Sequence, residues 1–325
     1  MSTGSRPLHR LGLIADVQYV DDDDAFNYSK TRRRYYRQSL QHLSQAIARW
    51  KTEEVDRVMQ LGDLIDGKSH RLGKRDRDFD SLREVINTLP VPWHHCIGNH
   101  ELYNFTEPEL REWMSDDSRI QMGDNNYYAF SPIAGYAAIV LNSYEISDVS
   151  QSSIHVAPDT LLSPRMNDAR QLLETNNPNQ DKNSPTGLEG VERRWCAFNG
   201  GLGRDQLHWL DERLEEARMK GEKVILVSHV PVEPKACAEV LDLAWDYDEA
   251  QKVIAKHTDC IVAVFAGHDH DGNHYYDGEA NILYVTFKAV LETKSDSCAF
   301  AVCDLHQDRL ELRGFGEIPS FVVRF

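Results

Sequence analysis

Short runs of Val, Ile, Leu and Ala recur along the chain and alternate with longer amphipathic stretches. Runs of this length, rich in β-branched residues, are typical of buried β-strands. The sequence predicts strands at Leu11–Ala15, Arg57–Leu61, Trp93–Ile97, Ala137–Asn142, Val224–Ser228, Ile261–Phe265, Ile282–Phe287 and Cys298–Cys303. Apolar residues spaced by three and four positions predict helices at Thr31–Trp50, Asp78–Leu89 and Asp205–Met219. Alternating strands and helices indicate an α/β fold, and the closely spaced late strands indicate an added antiparallel part.

A long polar connection at about residues 143–203 interrupts this rhythm with many Ser, Asn, Pro and Gln residues. Connections of that length inside a domain are usually either a lid or specificity loop, or a mobile excursion, and the sequence leaves both open. The length of 325 residues suits one large domain. We therefore predict a single domain over residues 1–325 with an insertion at about 143–203.

The charge of the chain is strongly acidic, with 36 Lys and Arg against 52 Asp and Glu and a formal net charge of −16. Such a surface repels phosphate backbones and anionic lipids, so we expect no nucleic-acid partner and no membrane partner. No apolar run approaches the ~18–20 residues of a membrane span, and the first apolar run is too short for a signal peptide. The six cysteines form no CxxC pair, which is typical of reduced thiols. We expect a cytoplasmic protein and a monomer.

Side chains that can bind metals follow five of the predicted strands. They are Asp16 and Gln18; Asp63 and Asp66; Asn99, His100 and Glu101; His229; and His268 and His270. Taken singly, an Asp or His after a strand is more often a turn or hydrogen-bonded residue than a ligand. Functional groups of α/β folds gather at the carboxyl ends of strands, and the two imidazoles of a His-x-His pair face the same side. Five such signals in series therefore indicate a metal centre.

These blocks make the sequence resemble the calcineurin-like metallophosphoesterases. The blocks are Asp16-Val17-Gln18, Gly62-Asp63-Leu64-Ile65-Asp66, Gly98-Asn99-His100-Glu101, Ser228-His229 and Gly267-His268-Asp269-His270. The resemblance implies a mixed α/β fold in which two mixed β-sheets pack as a sandwich with helices outside. It also implies a hydrolase whose two divalent metal ions activate a water molecule for attack on phosphorus.

The resemblance also implies a role for each residue of the blocks. Asp16, Gln18, Asp63 and His270 would bind the first metal, and Asp63, Asn99, His229 and His268 would bind the second. Asp63 would bridge the two ions. His100 would face the substrate as the catalytic residue without binding metal, acting as a general acid or as a hydrogen-bond donor. Asp66 would orient a ligand.

Gln18 departs from the commoner D-x-H pattern of the family. Its amide oxygen is a harder and weaker donor than imidazole, and oxygen-rich sites suit Mn²⁺ better than Zn²⁺. The strings around the blocks are similar to a manganese-dependent branch of the family; they span residues 12–19, 98–105, 198–203 and 267–272. This likeness implies hydrolysis of the diphosphate linkage of ADP-ribose and CDP-alcohols. We therefore expect two Mn²⁺ ions, with Zn²⁺, iron or Mg²⁺ as alternatives, and small nucleoside diphosphate derivatives as partners.

The organic half of such a substrate needs binding groups other than the metals. Tyr28, Tyr103, Phe198 and Cys237 stand next to the blocks and are candidates, since aromatic faces stack on nucleobases; packing in the core is the alternative for each. The glycine run 199–203 offers either backbone N–H groups to an anion or a plain helix entry. Two other functions stay open, a phosphodiesterase for cyclic nucleotides or other diesters, and a scaffold without catalysis.

Overall fold

The computed structural model describes residues 6–27, 30–114, 126–149 and 164–325. Its strands are β1 (His9–Ile14), β2 (Ala25–Phe26), β3 (Arg33–Arg34), β4 (Arg57–Gln60), β5 (Trp93–His95), β6 (Tyr128–Phe130), β7 (Tyr136–Val140), β8 (Lys223–Val227), β9 (Ile261–Ala266), β10 (Asn273–Asp277), β11 (Ile282–Thr286), β12 (Ala299–Leu305), β13 (Arg309–Gly316) and β14 (Phe321–Arg324). Its α-helices are α1 (Tyr36–Glu53), α2 (Lys68–Arg71), α3 (Arg75–Ile86), α4 (Asn99–Asn104), α5 (Glu107–Met114), α6 (Pro164–Asn176), α7 (Gly203–Lys220) and α8 (Tyr247–Lys256). Short 3₁₀ turns lie at Gly190–Arg194, Pro234–Ala236, Val240–Asp242 and Val290–Glu292.

The longer strands form two mixed sheets. The first has the order β14-β13-β12-β1-β4-β5, and the second has the order β10-β11-β9-β8-β7-β6. In the first sheet β1, β4 and β5 are parallel, while β12, β13 and β14 add antiparallel strands. In the second sheet β7, β8, β9 and β11 are parallel, with β6 and β10 antiparallel at the edges. The antiparallel addition predicted from the late strands is confirmed.

One hydrophobic core joins the two sheets. Leu13 and Met59 of the first sheet and Leu226 and Phe265 of the second are at most 1% exposed and belong to the same cluster. On the outside, α1 covers the first sheet; its Trp50 is fully buried and donates an indole hydrogen bond of 3.0 Å to a backbone carbonyl of β12. The expected sandwich of two mixed sheets with helices outside is confirmed. Among the described helices, none is long and apolar enough to cross a membrane.

The eight predicted strands are present, each within two residues of its predicted ends, and α3 and α7 match two of the predicted helices. The remaining predicted helix, over Thr31–Trp50, corresponds to α1, but the prediction is wrong at the start of the helix. Residues Arg33–Arg34 form β3, which pairs with β2, and the helix begins at Tyr36. The reason is an ionic one, because Arg32 and Arg34 reach the buried carboxylate of Glu292 and this holds the stretch extended.

The predicted polar insertion at about 143–203 is structured in its described part. It contains α6 and the 3₁₀ turn at Gly190–Arg194. Ala169 and Leu173 of α6 pack with Trp195 and Trp245 in a small core of their own. Asn177, fully buried after α6, donates a hydrogen bond of 2.6 Å to the carbonyl of Trp195. This part is therefore packed on the body of the protein, while residues 150–163 lie outside the described residues.

Candidate metal centre

The carboxyl ends of five parallel strands meet where the two sheets face each other. In the first sheet β1, β4 and β5 lead to Asp16, Asp63 and Asn99, and in the second β8 and β9 lead to His229 and His268. The structure brings these strand-end residues together. The donor atoms of Asp63, His229 and His268 all lie within 4.8 Å of one another, and the three residues are buried.

Asp63 stands at the centre of the group. Its Oδ2 lies 3.4 Å from Nε2 of His229, 3.0 Å from Nε2 of Gln18 and 3.9 Å from Nε2 of His100. Its Oδ1 accepts the backbone N–H of His100 at 2.8 Å. One carboxylate oxygen is thus held by the backbone, while the other faces residues of both expected metal sites.

The expected first site is completed by Asp16 and His270. Nε2 of His270 lies 3.6 Å from Oδ1 of Asp16 and 2.9 Å from Nε2 of Gln18. Oδ2 of Asp16 accepts the backbone N–H of His268 at 3.1 Å. Asp16 therefore shows the same division as Asp63, with one oxygen held by the backbone and one turned toward the other donors.

Buried polar atoms without a partner show what the site lacks. Oδ1 of Asp16, Oε1 of Gln18 and Nε2 of His229 have no hydrogen-bond partner among the described residues. Such atoms cost about 1–3 kcal/mol each when they stay unpaired, so their clustering calls for a further group. Carboxylate, amide and imidazole donors around one space suit a divalent cation, and the residues present fit the metal centre that the family implies.

Each of the three histidines has one ring nitrogen held by a protein acceptor. Nδ1 of His229 lies 2.8 Å from the carbonyl oxygen of Leu61, Nε2 of His268 lies 2.6 Å from Oδ1 of Asn199, and Nδ1 of His270 lies 2.9 Å from Oε1 of Glu292. These oxygens accept only, so the facing nitrogens carry the proton. His229 and His270 then present Nε2 to a metal, whereas His268 presents Nδ1.

The backbone at this edge is strained. The described residues include eight non-glycine residues with positive φ, and four of them are expected ligands: Asp16 (52°), Gln18 (42°), Asp63 (58°) and His268 (69°). A non-glycine residue in this region costs on the order of 1–3 kcal/mol and persists where its surroundings fix it. The strain is concentrated where the expected ligands turn inward from the strand ends.

Two positions of the motif blocks require glycine because a neighbouring side chain comes too close for a Cβ atom. A Cβ on Gly62 would lie 2.1 Å from Nδ1 of His229, and a Cβ on Gly98 would lie 2.0 Å from Oδ1 of Asp63. Neither contact can be relieved without moving an expected ligand. The glycines of these blocks therefore make room for the ligands of the neighbouring strands.

The electrostatics of the site favour positive charge. Burial opposes protonation of His229, but the carboxylate of Asp63 outweighs it and raises the pKa of His229 to about 9. Burial also opposes protonation of His270, but the carboxylates of Asp16 and Glu292 outweigh it and raise the pKa of His270 to about 10. Burial and the nearby His229 hold the pKa of His268 well below its usual value. A divalent cation would replace the two protons and satisfy the same carboxylates.

His100 lies beside this group, with 14% of its side chain exposed. Its Nδ1 accepts the backbone N–H of Gly67 at 2.9 Å and lies 3.3 Å from Oδ2 of Asp66. Burial lowers the pKa of His100, but Asp63 and Asp66 outweigh it and raise the value. The resemblance implied that Asp66 orients a metal ligand, whereas its carboxylate lies against His100, the residue expected not to bind metal.

Two buried residues that sequence analysis left without a role support the site. The carboxylate of Glu101 accepts the backbone N–H groups of Asp63, Leu64 and Gly98 at 2.8, 2.6 and 2.8 Å. It thereby ties the loop after β4 to the loop after β5, and burial raises the pKa of Glu101 to about 7. Tyr144 donates from its hydroxyl to Oδ1 of Asn99 at 3.1 Å. Glu101 closes a motif block, but no sequence signal marks Tyr144.

The four candidates for substrate binding differ in their placement. The ring of Tyr103 lies 5.2 Å from that of His100, and the ring of Phe198 lies 5.9 Å from that of His268, so both border the centre. Cys237 is only 7% exposed, and its thiol donates to the carbonyl of Glu233. Tyr28 lies outside the described residues.

The glycine run at residues 199–203 serves as a helix entry. The backbone N–H groups of Leu202 and Gly203 donate to the carboxylate of Asp246 at 3.0 and 2.8 Å. Gly201 donates to the carbonyl of Ile146 at 2.9 Å. These three amides are taken by protein acceptors, so they do not offer the anion site that was one interpretation of the run.

The fold and the strand-end donors together define a metallophosphoesterase. Residues 9–272 match the family model of the calcineurin-like phosphoesterases, and the chain belongs to this family. It is a metal-dependent phosphohydrolase. The chain is also similar over its full length to proteins named manganese-dependent ADP-ribose/CDP-alcohol diphosphatase. The one from Homo sapiens is 37% identical, covering 100% of this chain and 95% of the relative, and the one from Arabidopsis thaliana is 34% identical, covering 98% of each.

Solved structures agree with this assignment. A crystal structure of a dimetal phosphatase from Danio rerio has a TM-score of 0.90 and 36% sequence identity, and the match covers 98% of this chain and 99% of that one. A purple acid phosphatase from yellow lupin has a TM-score of 0.57 at 13% identity, covering 98% of this chain and 54% of that one. The lupin enzyme shares the fold alone.

Proposed function

We propose that this chain hydrolyses the diphosphate linkage of ADP-ribose and of CDP-alcohols such as CDP-choline and CDP-glycerol, with Mn²⁺ as cofactor. The products are AMP or CMP and a phosphorylated sugar or alcohol. The observation that carries the proposal is the oxygen-rich donor group around Asp63, in which Gln18 stands 2.9 Å from His270 where most family members have histidine. Relatives of 34–37% identity over nearly the whole chain carry the corresponding name and support the same substrates.

The proposal assigns a ligand set to each of two ions. Asp16, Gln18, Asp63 and His270 hold the first, and Asp63, Asn99, His229 and His268 hold the second. The unpartnered Oδ1 of Asp16 and Nε2 of His229, one in each set, support this division. Two divalent ions held by these residues would supply a water of lowered pKa and positive charge for a phosphate.

The protein's own residues orient and protect the reacting groups. The Asp63 carboxylate is fixed by the N–H of His100, so its free oxygen keeps one direction between the two sites. His100 reaches the substrate side of the centre, where its Nε2–H donates to the leaving oxygen or transfers a proton to it. In the neutral ring Nδ1 of His100 accepts the N–H of Gly67, and in the protonated ring, which is the form that transfers a proton, Nδ1–H faces the carboxylate of Asp66 3.3 Å away.

The substrate's organic half is held by residues beside the centre. The proposal places Tyr103 and Phe198 against the nucleobase or the alcohol, since an aromatic face stacks on a base. Tyr28 stays a prediction for the same role. Because Cys237 is buried, we do not expect its thiol to contact a substrate.

The charge of the site makes substrate binding depend on metal. The carboxylates of Asp16 and Asp63 face the position of the phosphates and repel them while no cation is bound. Two divalent ions reverse the local sign although the whole chain has a net charge of −16. Metal-free protein should therefore bind ADP-ribose weakly, by equilibrium dialysis, and addition of Mn²⁺ should restore binding.

A substrate panel tests the proposal. Protein with Mn²⁺ is mixed with ADP-ribose, CDP-choline or cyclic AMP, and the products are identified by ³¹P NMR. The proposal predicts AMP with ribose 5-phosphate, and CMP with phosphocholine, and the Asp63→Asn variant should form neither. Turnover of cyclic AMP alone would favour the phosphodiesterase, and absence of metal-dependent turnover of all three would favour the scaffold.

Three further expectations remain predictions. They are the single domain over residues 1–325, the monomeric state in the cytoplasm, and the lack of nucleic-acid and membrane partners. Size-exclusion chromatography with light scattering measures the mass in solution, for which a monomer predicts 37.2 kDa.

A further inference from the structure

Glu292 lies far from the motif blocks along the chain but contacts the expected first metal site. It ends the 3₁₀ turn Val290–Glu292 and its side chain is 5% exposed. Its Oε1 accepts a hydrogen bond of 2.9 Å from Nδ1 of His270. No motif or spacing in the sequence marks this residue.

Two arginines and the backbone hold Glu292 in place. Nε of Arg34 lies 3.4 Å from its Oε1, and Nη1 of Arg32 lies 3.3 Å from its Oε2. The preceding residue, Leu291, donates its backbone N–H to the carbonyl of Asp16 at 3.0 Å. The turn that carries Glu292 is therefore bonded to the same loop that carries the first expected ligand.

Glu292 differs chemically from the groups that hold the other two histidines. His229 faces a backbone carbonyl and His268 faces the amide of Asn199, and both acceptors are neutral. Of the three ring nitrogens turned away from the expected metal sites, that of His270 alone faces a carboxylate. A carboxylate behind an imidazole fixes its orientation and makes the opposite nitrogen a stronger donor.

The carboxylate of Glu292 supports the first expected metal site, which has the weaker set of ligands. Gln18 supplies a neutral amide there, where the commoner pattern supplies an imidazole. His270 is then the single imidazole among the four expected ligands of the first ion. The donor strength and the orientation of Nε2 of His270 therefore affect metal affinity at the first site more than those of either histidine affect it at the second site.

We propose that Glu292 is a positioning residue for the first metal, through which a site containing glutamine keeps its affinity for Mn²⁺. It holds His270 with Nε2 toward Asp16 and Gln18, and its negative charge strengthens that nitrogen as a donor. The proposal rests on the ligand set of the proposed function and adds a residue beyond it.

The test is Mn²⁺ binding by metal-free protein, followed by electron paramagnetic resonance of the free ion. Glu292→Gln keeps an acceptor for His270 but removes the charge, and we expect one of two Mn²⁺ ions to bind about 10-fold or more weakly, with the other unchanged. Glu317→Gln is the matched control, because Glu317 is an exposed glutamate paired with Lys288. It should bind both ions as the wild type does.

A second variant guards against loss of folding. Glu292→Asp keeps the charge that faces Arg32 and Arg34 but withdraws it from His270, so it should show a smaller loss at the same single site. If folded Glu292→Gln binds both ions with full affinity, the role of Glu292 is overturned while the proposed function stands. If Glu292→Gln does not fold, the same result in Glu292→Asp overturns that role. A wild-type protein that binds fewer than two ions would overturn the proposed function as well.

Discussion

The side-chain nitrogen of Gln18 lies 2.9 Å from Nε2 of His270, while the amide oxygen of Gln18 has no hydrogen-bond partner among the described residues. Rotating the amide by 180° exchanges its nitrogen and oxygen without moving the rest of the side chain. The oxygen then faces both His270 and Oδ2 of Asp63, where the first ion is proposed. Gln18 is thus placed to replace the imidazole of the commoner family pattern.

Changing Gln18→His should alter the metal preference. An imidazole at this position adds a softer donor, so we expect the affinity for Zn²⁺ relative to Mn²⁺ to rise by about 10-fold. Competitive metal binding followed by elemental analysis measures the ratio. Gln18→Ala is the control, since it removes a donor without adding one and should weaken Mn²⁺ binding with no gain for Zn²⁺. An unchanged ratio in Gln18→His would mean that Gln18 is not a ligand.

Changing His100→Ala should separate catalysis from metal binding. The loss of a proton donor or hydrogen-bond donor at the leaving oxygen should lower kcat by about 10²–10⁴-fold. Both Mn²⁺ ions should stay bound, because neither nitrogen of His100 is assigned to a metal. Steady-state rates and metal content are measured on the same sample. His208→Ala, at a histidine whose side chain is 75% exposed, should change neither; metal loss from His100→Ala would contradict the assignment.

Changing Asn199→Ala should weaken the second metal site. The Asn199 amide donates to the carbonyls of Arg194 and Leu241, which turns its oxygen toward Nε2 of His268 and leaves Nδ1 of that ring for the ion. We expect one Mn²⁺ ion to bind about 10-fold or more weakly, with the other unaffected. Calorimetric titration measures both sites. Unchanged affinity for both ions in Asn199→Ala would mean that the bond to His268 does not support the second site.

Changing Glu145→Gln should flatten the dependence of stability on pH. Burial raises the pKa of Glu145 to about 7, against a usual value of 4.5. A raised pKa gives stability that is full below about pH 4.5 and is lost as the pH rises through 7. The free energy of unfolding by urea of the metal-free wild type should therefore fall between pH 5.5 and 8 by about 2 kcal/mol more than that of Glu145→Gln. Glu212→Gln, at a residue with 53% exposure, is the control, and it should keep the wild-type slope.

The part of the fold that follows from local pattern could be predicted from the sequence. Buried strands such as β8 and β9 are continuous apolar runs, and their ends carry the expected ligands. Strand β13 was missed because it is half-buried, with Leu310 and Leu312 inward and Arg309 and Glu311 less buried between them. A search for continuous apolar runs does not find such an alternating strand.

The residues behind the expected ligands could not be predicted, because their partners are remote along the chain. Asn199 meets His268 across 69 positions, and Tyr144 meets Asn99 across 45. Glu292 follows His270 by 22 positions but stands in a turn without a motif. Motif spacing reports where ligands sit on strand ends, whereas these contacts depend on how the two sheets and their loops pack.

The rate of ADP-ribose hydrolysis by initially metal-free protein, measured while Mn²⁺ is added and bound metal is counted, tests the central claim most directly. We predict no turnover without metal, full turnover once two ions are bound per chain, and none at any Mn²⁺ concentration in Asp63→Asn, which lacks the proposed bridging carboxylate. Full turnover before metal is added, or undiminished turnover in Asp63→Asn, would contradict a two-metal centre built on Asp63.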